Sequence, residues 1–184
     1  HLMNEGVNLD THVDDVVNAI LFEDLQDIVL VGHSYGGMVI SAVADRIPAR
    51  IKKLIYIDAI IPEDGKSAME SLGIDVEVVP SRFKIKDATL IPTWVKDPAK
   101  TPRDVPHPLA TFTQQISLKN PQRLVIASTY IFTYDPLKGE EKDDFYPFYK
   151  KAVNNNWTIR KLEASHNPQI DKLEELVQIL LEEK

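Results

Sequence analysis

Ile28-Val-Leu-Val-Gly-His-Ser-Tyr-Gly-Gly-Met-Val-Ile40 joins an apolar run of strand length, a tight turn at Gly32-His33-Ser34-Tyr35-Gly36 and the first residues of a helical pattern. The five-residue form G-x-S-x-G occurs by chance too often to decide anything alone. Between a strand and a helix it marks a turn that raises a serine hydroxyl above the end of a sheet. So tight a turn predicts that side chains at Gly32 and Gly36 would meet neighbouring backbone, which suits glycine at both. The helix beginning just past Ser34 would aim its free N–H groups at negative charge formed there.

Outward from this stretch the pattern is that of an α/β chain. On the N-terminal side, Thr11 is placed to cap a helix whose apolar face is Val13, Val16, Val17, Ile20 and Leu21, ending near Glu23. His12, in its first turn, reads as a solvent-facing residue. The continuous apolar run up to Gly32 predicts a strand buried on both faces, as in a parallel sheet covered by helices. After the turn, Met38, Val39, Ile40, Val43 and Ile47 lie on a largely buried helix that stops before Pro48. Lys53 to Asp58 is a second buried strand, so strand, helix and strand form a right-handed βαβ unit.

The character changes at Pro62. Residues 62–120 are proline-rich and lack a clear strand, which predicts an inserted cap between two parts of a core at residues 1–61 and 121–184. Met69, Leu72, Phe83, Leu90, Ile91, Trp94, Leu109, Phe112 and Ile116 could line a pocket or form the insertion's own small core. The sheet pattern resumes at Arg123 to Thr133 and is broken at Tyr134-Asp135-Pro136. A short helix from Phe145 to Val153, a strand from Trp157 to Leu162 and a closing helix with Leu173, Leu176, Val177, Leu180 and Leu181 complete the chain.

Composition narrows the function classes. The net charge of −7 argues against nucleic acid or an anionic membrane as partner, and no apolar run reaches the length of a membrane span. The absence of cysteine excludes thiol catalysis and disulfides, and it fits a reducing, cytoplasmic location. No metal-ligand spacing, phosphate-cradling loop or dinucleotide fingerprint is present, so no cofactor is expected.

A serine hydroxyl needs an adjacent base, and the base needs an acid to hold it. In this kind of fold the chain order is serine, acid, histidine, each on a loop after a strand. His166 follows the last strand and precedes the last helix, where the base belongs. Asp135, just past the strand ending at Thr133, is the first candidate for the acid, and Asp58, ending the earlier strand, is the second. His33 is flanked by the nucleophile itself and reads as structural, while His107 between two prolines takes no role.

These residues resemble the α/β-hydrolase superfamily, and within it the bacterial serine esterases similar to pyrethroid hydrolases. The resemblance rests on Leu9-Asp-Thr-His-Val-Asp-Asp15, the elbow itself, Tyr56-Ile-Asp-Ala-Ile-Ile-Pro-Glu-Asp-Gly65, Pro106-His-Pro108 with Thr111-Phe112, and His166. It implies hydrolysis of a small apolar carboxylic ester through an acyl-enzyme, without cofactor, by Ser34, His166 and an acid. It also implies an oxyanion hole with the Tyr35 backbone N–H as one donor, and about four further strands and a His-Gly oxyanion loop ahead of His1. Without them the strand leading to Ser34 is expected at an open sheet edge, completed by a missing N-terminal portion or by self-association. The alternative reading is a truncated relative that binds a small apolar ligand without catalysis.

Overall fold

The computed structural model describes residues 4, 6–93, 95–97, 99 and 103–183. Helix α1 (Leu9–Phe22) buries Leu9, Val13 and Ile20. Its cap is Asn8 rather than Thr11: the Asn8 side chain accepts from the Thr11 N–H, and the Thr11 hydroxyl accepts from the Asn8 N–H. Thr11 thus serves the cap reciprocally from the third helical position, which is why it resembled a cap in sequence.

Strand β1 (Ile28–His33), helix α2 (Gly36–Arg46) and strand β2 (Ile51–Ile57) follow as the βαβ unit that the periodicity predicts. Between β2 and the next long strand lie helices α3 (Ala68–Ser71) and α4 (Val79–Arg82), strands β3 (Ile85–Lys86), β4 (Thr89–Leu90) and β5 (His107–Pro108), and helix α5 (Leu109–Thr113). The chain then returns through β6 (Ala127–Tyr134), α6 (Tyr146–Asn154), β7 (Thr158–Glu163), α7 (Pro168–Asp171) and α8 (Leu173–Glu182).

The main sheet runs β1-β2-β6-β7, and all its pairs are parallel. Helices α1, α2 and α6 cover one face, packing Val13, Met38, Val43 and Phe148 against Tyr56, Tyr130 and Phe132. Helix α8 covers the other, setting Leu176 on Ile55, Ile57, Ile131 and Leu162. Beyond α8 its capping residue Glu183, only 3 % exposed, accepts from Thr129 at 2.7 Å and pairs with Lys53 and Arg160 at 2.7 Å each. Burial pushes the Glu183 carboxyl up, but the bonds from Lys53 and Thr129 outweigh it and hold the group below its usual range.

Strand β1 is the edge, as expected, and among the described residues it pairs only with β2. It is not buried on both faces as its apolar run suggested. Val29 packs in part against the α8 cluster, but Val31, two residues on along the same face, is 42 % exposed.

The segment after β2 carries three strands that sequence reading missed. Each is two residues long, too short to show a period of two. They form a separate antiparallel sheet over a small core of Met69, Val79 and Leu90, joined by Phe83 and Leu109. Ile116 and Leu72 join the main core instead. Trp94 lies outside the described residues, as do His1, Leu2 and Met3. No helix among the described residues is long and apolar enough to cross a membrane.

Candidate active site

The site is built where β1, β2 and β7 end. Ser34 follows β1 with φ of +55°, a left-handed conformation that costs a non-glycine residue about 1–3 kcal/mol and persists only where the surroundings hold it. Its N–H donates to the Ile57 carbonyl at 3.2 Å. Its own carbonyl accepts from both Gly37 and Ile60, each at 3.1 Å. Because a peptide is planar, bonding the Ser34 carbonyl also points the opposite end of the same unit, the Tyr35 N–H, the other way. Tyr35 is the N-cap of α2, so that N–H opens the helix's positive end.

Glycine is required in this turn at two positions, and one is not the predicted one. A Cβ at Gly32 would lie 2.7 Å from the Gly36 carbonyl oxygen. A Cβ at Gly36 would meet nothing within 4 Å, contrary to expectation, whereas one at Gly37 would sit 2.1 Å from the Ile60 carbonyl oxygen. Gly37 is therefore what lets the loop after β2 approach and bond the elbow.

Asp58 closes β2 in a second left-handed conformation, φ +41°, and is fully buried. One carboxylate oxygen accepts from the Thr133 N–H at 3.4 Å; the other lies 2.7 Å from His166 Nδ1. The far nitrogen of that ring, Nε2, is 2.9 Å from Ser34 Oγ. A carboxylate only accepts, so Nδ1 carries the proton and Nε2 is free to accept from the serine hydroxyl. The Tyr130 hydroxyl ties the next residue by bonding both the N–H and the carbonyl of Ala59.

The imidazole is held from two more sides. Phe145 stacks on it with ring centroids 4.4 Å apart and an interplanar angle of 19°. His33 donates from Nε2 to the His166 carbonyl at 2.6 Å, a structural role that matches its reading in sequence. Burial holds the His33 ring below its ordinary pKa, so it stays neutral as it does this. Among the described residues no three His, Asp or Glu side chains converge as metal ligands would.

A serine, an imidazole and a buried carboxylate in this order, on an elbow between a parallel strand and a helix, set the terms for comparison with known proteins. The family model described as alpha/beta hydrolase matches residues 5–179. This chain belongs to the alpha/beta hydrolase family. It is 32% identical to a carbendazim hydrolyzing esterase of Nocardioides sp., over 98% of this chain and 81% of that protein. An extracellular alpha/beta-hydrolase from a Paenibacillus species shares the fold with a TM-score of 0.72 at 20% identity, over 97% of this chain and 81% of the other. A pyrethroid hydrolase from Sphingobium faniae does so at 0.71 and 18%, over 96% and 77%.

In this alpha/beta hydrolase the expected acid is not the one that reaches the histidine. Asp135 shares a hollow of about 610 Å³ with His166, but its carboxylate accepts from the Leu137 N–H at 3.0 Å and faces Lys138 at 3.6 Å. The Asp135-Pro136 turn satisfies the side chain locally and leaves it 40 % exposed, while Asp58 is wholly enclosed. His12, read as solvent-facing, instead lies half-buried with Nδ1 3.1 Å from the Tyr35 hydroxyl. His107 packs its ring on His12, Tyr35 and Phe112. Its Nε2 is buried with no hydrogen-bond partner among the described residues, and burial together with the neighbouring His12 pulls its pKa down to about 4. Both histidines lie in segments that carry the resemblance, but the sequence showed no role for either, because their contacts join segments far apart in the chain.

Proposed function

We propose that this hydrolase cleaves small apolar carboxylic esters through an acyl-enzyme on Ser34. The observation that carries the reading is the continuous line Asp58–His166–Ser34, with spacings of 2.7 and 2.9 Å. Ser34 Oγ attacks the ester carbonyl carbon as its proton passes to His166 Nε2, and Asp58 holds the resulting imidazolium in register. The carbonyl oxygen takes the negative charge and is met by the Tyr35 N–H at the start of α2. Collapse breaks the bond to the alcohol oxygen, which leaves with the proton from Nε2. Water then gives a proton to Nε2 and its oxygen to the acyl carbon, and the acid departs as Ser34 regains its hydrogen. The name of the 32%-identical relative, an esterase, supports this reaction class.

A chromogenic aryl ester tests the proposal. Rapid mixing should give a burst of one alcohol per chain, and the Ser34→Ala variant should lose both burst and turnover. Turnover that survives Ser34→Ala would overturn it.

The open edge of β1 supports a second property of the chain. An apolar edge strand with one side unpaired is a template for another strand, and Val31 extends that apolar surface. We therefore expect self-association in sizing chromatography at micromolar concentration. A monodisperse monomer would contradict this.

A further inference from the structure

The mechanism above uses the Tyr35 N–H and leaves its side chain unexplained. That side chain joins three segments. Its hydroxyl lies 3.1 Å from His12 Nδ1 on α1. Its ring packs on Phe112 and His107, with centroids 5.1 and 5.6 Å away.

On the neighbouring segment the Thr111 hydroxyl, fully buried, donates its proton to the Pro108 carbonyl at 2.7 Å and so holds the start of α5, where Phe112 meets the Tyr35 ring. A second tie joins α1 to the same segment, where the Asp10 N–H and carboxylate bond the Gln114 amide at 3.1 and 2.6 Å.

From this geometry we infer that His12 is a positioning residue which, through the Tyr35 hydroxyl, fixes the oxyanion N–H against the segment that covers the elbow. The inference rests on the acyl-enzyme reading of Ser34. A peptide whose carbonyl is pinned by Gly37 and Ile60 can still tilt about its Cα, and the anchored Tyr35 ring removes that freedom. The benefit falls on the transition state, where the oxyanion exists, rather than on ester binding.

The test compares steady-state ester hydrolysis by the wild-type chain, Ser34→Ala, His12→Ala, His12→Asn, Tyr35→Phe and the His12→Ala/Tyr35→Phe pair. Asn8→Ala serves as control, since it uncaps α1 without touching Tyr35. His12→Ala and Tyr35→Phe should each lower kcat about tenfold with KM unchanged, the scale of one lost hydrogen bond. The pair should be no worse than either alone. His12→Asn, whose amide can either donate to or accept from the Tyr35 hydroxyl, should recover most of the loss, and Asn8→Ala should keep kcat while lowering the melting temperature. Additive losses, a change confined to KM, or an equal kcat loss in Asn8→Ala would overturn the inference. Wild-type turnover that survives in Ser34→Ala would instead bring down the reading beneath it.

Discussion

Two residues at strand ends, Ser34 and Asp58, are both held at positive φ, and a hydrogen-bonded line runs between them through His166. Neither side chain favours that conformation, so the surrounding bonds must impose it. Gly37 supplies the space for those bonds. Gly37→Ala should destabilise the chain by about 1–3 kcal/mol in urea unfolding, while Gly36→Ala should stay within about 0.5 kcal/mol. Equal effects at the two positions would contradict the geometry. Ser34 and His166 were legible because motif and chain order both point to them. The acid was not, since Asp58 and Asp135 both satisfy the order serine, acid, histidine. What separates them is whether the side chain is spent on a local turn, and that is decided in three dimensions.

At the level of elements, α2, β2, α6 and the position of β1 at an edge were readable from periodicity and resemblance. The paired two-residue strands between β2 and β6 were not, because a pattern needs length to be seen. The docking of α8 was also hidden: Glu183 looks like one acid in a charged terminus, yet it joins β2, β6 and β7. Removing it leaves the Lys53 and Arg160 charges without their partner. Glu183→Ala should cost about 3 kcal/mol in urea unfolding, the effect of breaking a buried pair. A loss below about 1 kcal/mol would show the contact to be worth no more than a surface ion pair.

For the molecule as a whole, acid should act through the histidines around the elbow. Burial lowers His12, His33 and His107, the last from 6.5 to about 4, so the unfolded chain binds protons that the folded one refuses. Stability should hold above about pH 6.5 and fall from there toward pH 4, with a shallower fall in His107→Phe. A urea midpoint unchanged between about pH 7.5 and pH 4.5 would contradict this. Whether Asp58 rather than Asp135 holds the imidazole can be read on intact protein. The fraction of chains labelled by a fluorophosphonate is followed by mass for wild type, Asp58→Asn and Asp135→Asn. Asp135→Asn should label at the wild-type rate, while Asp58→Asn should be slower by a factor on the order of 10⁴. Slow labelling of Asp135→Asn beside unimpaired labelling of Asp58→Asn would reverse the assignment.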